Sequence, residues 1–347
     1  MTPRRSRIRT RRSAFAWLLA PCLFAGGCST AREVPLAAMS DGASTPLVAT
    51  DAGPADAASS APASEPEPSG PTDVTFAVVS DTHLGHAGGE EKNRALVASL
   101  ATLEGRRYPS PAVGAVSHVR GLLVAGDLTE WGNLDEWEAF RAVYGIADGG
   151  AGSPFPLFEI VGNHDHVHGP WLEEAVGRRH GGKAIYTWSF GPIHFVGLGE
   201  AAAGAALDAL ALDLAKLPPT RPVVLLVHRP LAGPWSEDVP TPAEKARLAE
   251  LVRGRDVVAI FHGHHHAAGR YTWNGIPVFK PGAVKGGAPV LSVVHVDDTN
   301  LTVAGFDWSA RRWVSAVVLP RHGRASLPPS RGAEGARLFG SDAGHRD

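Results

Sequence analysis

The sequence predicts one α/β domain with a polar ligand site at its strand ends, and three observations predict it. Between about residues 73 and 320, apolar runs of strand length alternate with stretches of helical spacing. Five of those runs stop in residues that bind metals or move protons: Val79-Ser80-Asp81-Thr82-His83, Val124-Ala125-Gly126-Asp127, Val161-Gly162-Asn163-His164-Asp165, Leu226-Val227-His228 and Phe261-His262-Gly263-His264-His265-His266. The chain holds 16 His, and several of them fall at these strand ends. In open α/β sheets ligand chemistry gathers outside the carboxyl ends of strands, so the five ends are expected to form one site.

Residues 1–28 are expected to be a targeting segment. Arg4, Arg5, Arg7, Arg9, Arg11 and Arg12 form a positive n-region, Ala14–Phe24 is an apolar stretch too short to span a bilayer comfortably, and Ala25-Gly26-Gly27 lead to Cys28. This resembles a bacterial lipoprotein signal, with Ala25 where Leu is usual. The resemblance implies export to the cell envelope and a lipid anchor on Cys28 as the only membrane contact. An ordinary secretory signal with a leftover Cys is the alternative. Arg11-Arg12 hints at twin-arginine export, with Phe15 one place late for that motif.

Residues 29–72, rich in Ala, Ser, Pro, Asp and Glu, show no period. Such a segment buries too little apolar area to offset its ordering entropy and is expected to be a solvated tether. The domain is expected over 73–320, starting with a strand at Val74–Val79. A helix is predicted over Glu90–Leu103, a strand over Gly121–Ala125, and a helix over Asn133–Tyr144 with Leu134, Trp137 and Phe140 on one side. After the strand before Gly162 come a short helix over Trp171–Arg179 and strands over Ala184–Phe190 and Ile193–Leu198, joined at Gly191-Pro192. The Ala/Leu-rich helix Ala205–Leu217 is stopped by Pro218-Pro219. A strand at Pro222–Val227 and a helix at Pro242–Val252, with Pro in its first turn, follow. Further strands are predicted at Val257–Phe261, Tyr271–Trp273, Ile276–Phe279, Val290–Val296 and Leu301–Phe306. No element is predicted beyond Phe306, and the Gly/Arg/Ser-rich residues 321–347 are expected to be an unstructured tail.

Composition narrows the function further. Both cysteines, Cys22 and Cys28, lie in the N-terminal segment, so the domain offers no thiolate and any metal is bound by N and O atoms. Removing residues 1–27 takes away six Arg and no acid, which moves the formal charge from −2 to −8. So acidic a protein has no general attraction to nucleic acid, and no duplex partner is expected.

In chain order the polar ends read Asp-x-His, Gly-Asp-x-x-Glu, Gly-Asn-His-Asp, His, Gly-His-x-His. This order resembles the calcineurin-like metallophosphoesterase superfamily over nearly all of residues 74–310. The run from Gly126 to Trp137, the segment Gly191–Leu198 and the Gly275-Ile276-Pro277 hairpin are similar to the branch of bacterial cyclic-nucleotide and glycerophosphodiester phosphodiesterases. The resemblance implies a four-layer α/β/β/α sandwich of two mixed sheets flanked by helices, with two divalent metal ions at the strand ends. Manganese, iron and zinc all suit Asp, His and Asn ligands.

A phosphate ester repels nucleophiles, and water is a poor one at neutral pH. Two cations about 3.5–4 Å apart lower the pKa of a shared water and clamp the attacking and transferring oxygens. The resemblance implies Asp127 as the carboxylate shared by both ions, Asp81, His83 and His266 on one, and Asn163, His228 and His264 on the other. It also implies that His164 protonates the leaving alkoxide, work that suits an imidazole at neutral pH. Asp165 and Glu130 are the neighbours expected to orient it or to raise its pKa. Glu130 stands where Ser/Thr protein phosphatases carry Asp followed by Arg, which disfavours that activity, and where purple acid phosphatases carry Tyr, so their iron-tyrosinate colour is not expected.

The expected function is therefore an exported metal-dependent phosphoesterase acting on small phosphate esters, diesters ahead of monoesters. A broad phosphomonoesterase and a non-catalytic binding protein on the same fold are the alternatives. Arg229 is expected either to touch substrate phosphate or to pair at the surface. His86, His166 and His168 are candidates for lining the cleft, His194 is expected in the core, and His265 outside the ligand set.

Overall fold

The computed structural model describes residues 70–321 apart from 110, 111, 113, 147–151, 235 and 237. The signal segment with Cys28, the tether up to residue 69 and the tail from residue 322 lie outside the described residues. No helix among the described residues is long and apolar enough to cross a membrane.

Among the described residues twelve strands form two mixed six-stranded sheets. The first has the order β12-β11-β10-β1-β2-β3, from β1 (Asp73–Val79), β2 (Val119–Ala125), β3 (Leu157–Ile160), β10 (Val290–Asp297), β11 (Asn300–Asp307) and β12 (Arg312–Pro320). The second has the order β4-β5-β6-β7-β9-β8, from β4 (Tyr186–Phe190), β5 (Ile193–Gly197), β6 (Val223–Leu226), β7 (Val257–Phe261), β8 (Gly269–Trp273) and β9 (Ile276–Lys280). β1, β2 and β3 run parallel, as do β5, β6, β7 and β9. Among the described residues five α-helices accompany the sheets, α1 (Gly89–Leu100), α2 (Leu134–Tyr144), α3 (Trp171–Arg179), α4 (Gly204–Leu214) and α5 (Pro242–Leu251), together with a 3-10 turn at His164–His166.

The period of two along each strand sorts side chains into three cores. Phe76 and Val78 of β1, Leu123 and Ala125 of β2 and Ile160 of β3 face Phe195, Val224, Leu226 and Phe261 of the other sheet. Phe76 meets Phe195 and Phe261 edge-on, at centroid distances of 5.2 and 5.8 Å. The alternate residues Ala77, Val79, Leu122 and Val124 pack under Leu96, Leu100, Trp137, Phe140 and Val176 of α1, α2 and α3. Val223 and Leu225 of β6 pack under Leu207, Leu210 and Leu248 of α4 and α5. The four layers are helices, sheet, sheet, helices, as expected. Strands covered on both faces need apolar residues throughout, which is why β6 and β7 read as unbroken apolar runs and β1, after Asp73, as one interrupted only by Thr75.

Two expectations fail for physical reasons. Leu134 is 63% exposed, whereas Trp137 and Phe140 are buried. Each three-residue step falls about 60° short of a full turn, so Leu134 lies about 120° round the helix from Phe140. β12, for which nothing is predicted, pairs antiparallel with β11 from Arg312 to Pro320. It is an edge strand with half-exposed side chains, so it carries no strong alternation. The turn between β8 and β9 is Asn274-Gly275 with φ 47° and 79°, the pair of left-handed residues that a tight two-residue hairpin requires.

Candidate metal centre

The five polar strand ends meet where the carboxyl ends of β1, β2, β3, β6 and β7 converge between the sheets. Seven described non-glycine residues have positive φ, and five of them are Asp81 (54°), His83 (41°), Asp127 (51°), His264 (69°) and His266 (50°). An L-residue pays of order 1–3 kcal/mol for such a backbone, which persists only where the surroundings fix it. Here the loops brace one another: the backbone N–H groups of Asp81, His83 and Leu84 donate to the carbonyls of Gly126, Asp127 and Leu128, each at 3.0 Å. The strained turns aim consecutive side chains at a common point. Glycines permit the approach: a Cβ on Gly126 would overlap the His228 ring, and one on Gly162 would overlap Asp127.

Two half-sites share Asp127. In the first, His83 Nε2 faces His266 Nε2 at 3.2 Å, and His266 Nε2 lies 3.3 Å from Asp81 Oδ1. In the second, Asn163 Oδ1 lies 3.1 Å from His228 Nε2 and 2.9 Å from His264 Nδ1. Asp127 Oδ2 stands between them, 3.4 Å from His83 Nε2 and 3.3 Å from His228 Nε2. Ligand atoms of Asp81, His83, Asp127 and His266 all fall within 4.8 Å of one another, as do those of Asp127, His228 and His264. All seven residues expected as ligands are brought together.

This donor set fits divalent cations. Acceptor oxygens and imidazole nitrogens converge from five loops, and ring nitrogens are aimed at one another. The outer atoms are spoken for: Ser80 Oγ donates to Asp81 Oδ2 at 2.5 Å, His164 N to Asp127 Oδ1 at 2.9 Å, and His228 Nδ1 to the Ala125 carbonyl at 2.8 Å. That last bond fixes the tautomer that leaves Nε2 for the site.

Burial opposes charge throughout the centre. It drives the His83 imidazole down to about 2 and His264 to about 4, so both rings are neutral at physiological pH. Asp127 and His228 are the exception. Burial works against both charges, yet their attraction wins, holding the carboxyl below its ordinary range and the imidazole above its own. Metal-free, the pair is a buried aspartate–imidazolium.

Glu130 braces the centre from outside. Its Oε2 lies 2.9 Å from His83 Nδ1, an ion-pair distance without hydrogen-bond alignment, and its Oε1 accepts from Lys285 Nζ at 2.7 Å. Lys285, whose backbone N–H donates to Asp81 O, carries no signal in the sequence: it sits in a Gly-rich loop far down the chain. The His164 ring stands edge-on to His83, with centroids 4.6 Å apart. Its Nδ1 meets the backbone carbonyl of Glu130 at 2.6 Å, which turns Nε2 away from the loop.

The expected orienting role of Asp165 is corrected here. Its buried carboxylate accepts from the backbone N–H groups of Leu128, Thr129 and Gly162, at 3.0, 2.9 and 2.8 Å, and from Thr129 Oγ1 at 2.7 Å. Four donors occupy it, so it ties the β2 and β3 loops together and leaves the His164 ring to Glu130, through its carbonyl and not its carboxylate. Burial and the nearby Asp127 charge still raise its carboxyl to about 6.

Farther out, Arg229 Nε donates to Glu200 Oε1 at 2.8 Å, and His166 Nδ1 lies 3.5 Å from Glu200 Oε2. His86 Nδ1 is 4.0 Å from Glu130 Oε2 and His168 is exposed. His194 is buried beside Asp213 at 2.7 Å, and His265 binds the Pro234 carbonyl, outside the two half-sites.

A family model described as calcineurin-like phosphoesterase matches residues 74–268. A probable cyclic nucleotide phosphodiesterase of Rhodococcus erythropolis (strain PR4 / NBRC 100887) is 28% identical over 241 residues, covering 65% of this chain and 73% of its own. Among solved structures, the purple acid phosphatase PPD1 from yellow lupin (Lupinus luteus) seeds matches with TM-score 0.53 and 12% identity, over 76% of this chain and 57% of that one. GAP50, the anchor in the inner membrane complex of Plasmodium, matches with TM-score 0.50 and 11% identity, over 72% and 89%. At such identities the two structures speak for the fold alone.

Proposed function

This chain belongs to the calcineurin-like phosphoesterase family, and from that premise we propose that it is a metal-dependent phosphodiesterase exported to the cell envelope. One observation carries the catalytic part. A single carboxylate, Asp127, is placed 3.3–3.4 Å from a histidine of each half-site, the arrangement needed to share an anionic ligand between two cations. The fold alone would not decide, since the Plasmodium protein of the same architecture is described as an anchor. The complete N/O donor set favours catalysis over scaffolding here. The Rhodococcus relative favours diesters over monoesters.

When bound, two cations would activate water and offset the charge on phosphate. Asp81, His83 and His266 would hold one, Asn163, His228 and His264 the other, with Asp127 shared. The neutral Asn163 carbonyl adds no charge to its half-site and leaves it the more electrophilic. Glu130, clamped by Lys285, fixes the His83 ring. Asp165 holds the β2 and β3 loops in register. His164, its Nδ1 bound to the Glu130 carbonyl, presents Nε2 to the cleft as the group that gives a proton to the leaving alcohol. Lipid anchoring at Cys28 is part of the proposal, and rests on the sequence of residues 1–28.

The test is a panel of bis- and mono-nitrophenyl phosphates with added manganese and with chelator. The expected outcome is manganese-dependent hydrolysis, faster on the diester and abolished by chelator. No turnover of either ester with manganese, iron or zinc would leave the binding-protein alternative standing.

A further inference from the structure

Large apolar side chains are usually buried, and the indole of Trp is highly buried on average. Among the described residues five large apolar side chains are exposed; two of them, Trp131 and Val167, lie on the two loops that carry Glu130 and His164, and a third, Leu134, opens α2 just beyond the first loop. Trp131 is 50% exposed, and its ring stands 5.8 Å from the His164 ring at a tilt of 46°. The backbone under it is fixed. Buried Glu136 accepts from Trp131 N at 2.8 Å and from Asn133 N at 3.2 Å, Gly132 supplies a left-handed turn at φ 72°, and Trp171 Nε1 donates to the Gly132 carbonyl at 3.0 Å. A loop this tightly held has no need to leave an indole half in water. Its placement beside the proposed proton donor gives the ring a use.

The geometry points to Trp131 as the specificity-determining platform for the leaving alcohol, so that the substrate is a phosphoester whose leaving group carries a flat aromatic ring. This rests on the proposed phosphoesterase function. The alcohol that accepts a proton from His164 must lie against that ring, and the next surface it meets is the exposed face of Trp131. A planar π system stacks there and a small polyol does not, because base–aromatic stacking is strong and tolerant of ring identity. Ring-bearing leaving groups, aryl or nucleoside, are thereby favoured over glycerol.

The test uses the full chain loaded with manganese and calorimetric binding of phenyl phosphate, adenosine monophosphate, glycerol phosphate and inorganic phosphate. Wild type is expected to bind the two ring-bearing phosphates more tightly than glycerol phosphate. Trp131→Ala should cut that preference about tenfold, the scale of one lost stacking contact, while Trp131→Phe keeps most of it. Trp131→Leu, apolar but ringless, should behave as Ala does and serves if the Ala variant fails to fold. Adenosine monophosphate ahead of phenyl phosphate would identify a nucleoside leaving group, and the reverse an aryl one. A wild type without ring preference, one that binds none of the four, or ringless variants that keep the preference, would overturn the inference. Ring preference without turnover of any ester would sink the phosphoesterase proposal and with it the leaving-group role, leaving Trp131 a ring-binding contact alone; turnover without ring preference would overturn this inference and leave the phosphoesterase proposal intact.

Discussion

Asp127→Asn is expected to abolish hydrolysis of every phosphoester and to strip the protein of stoichiometric metal. The amide keeps the shape of the side chain and its acceptor for His164 N, but removes the negative charge that lies 3.3–3.4 Å from a histidine ring of each half-site. Polarisation by metal is worth several kcal/mol of barrier, and each 1.36 kcal/mol is tenfold, so kcat/KM should fall by roughly 10³–10⁴ or more. Asparagine is the variant to choose. Both variants remove the charge that keeps His228 protonated, but Asp127→Ala would also leave the buried His164 N–H without its acceptor, at a cost of about 1–3 kcal/mol in folding, and lost activity could then reflect lost structure. Elemental analysis and a thermal melt on Asp127→Asn separate the two. A folded variant that keeps its metal and acts within tenfold of wild type would contradict the shared-ligand assignment.

His164→Gln should show a different pattern: metal content unchanged, with a loss that depends on the alcohol released. General-acid catalysis is typically worth about 10²–10⁴-fold, and it matters in proportion to how badly the departing oxygen needs a proton. A diester releasing an alkyl alcohol should lose about that much, whereas one releasing nitrophenolate, a stable anion, should lose little. The contrast has force because His83, Glu130 and His164 also lie close enough together to hold an ion among themselves. If His164 were a ligand, His164→Gln would lose metal and slow both esters alike, and that result would refute the acid role.

Much of this centre was legible before any coordinates because it is made of strand ends. β1, β6 and β7 are buried on both faces, so they read as apolar runs, and the residue types that interrupt such runs stand out. Asp81, His83, Asp127, Asn163, His228, His264 and His266 all follow from that contrast together with the family resemblance. What stayed hidden depends on contacts between distant segments. Lys285 reaches Glu130 across 155 positions of sequence, and nothing local to its Gly-rich loop marks it. Asp165 adjoins His164 in sequence yet serves the β2 loop, since residues next to one another on a tight turn face different ways. β12 is an edge strand whose half-exposed residues leave no clear period. The left-handed backbones of five ligand residues are equally invisible in sequence, because Asp and His, unlike Gly, do not advertise them.

The most direct test of the account is a calorimetric titration of the metal-free protein with manganese at pH 7, run in buffers of different ionisation enthalpy. Two equivalents of metal are predicted. Because the His228 imidazole is held above its ordinary range, its ring is protonated in the metal-free protein, whereas a ligand ring must be neutral. Metal uptake should therefore release a proton to the buffer, and affinity should rise with pH above neutrality until that ring titrates by itself. Absence of stoichiometric binding of manganese, iron or zinc would contradict the dinuclear site on which the proposed chemistry depends.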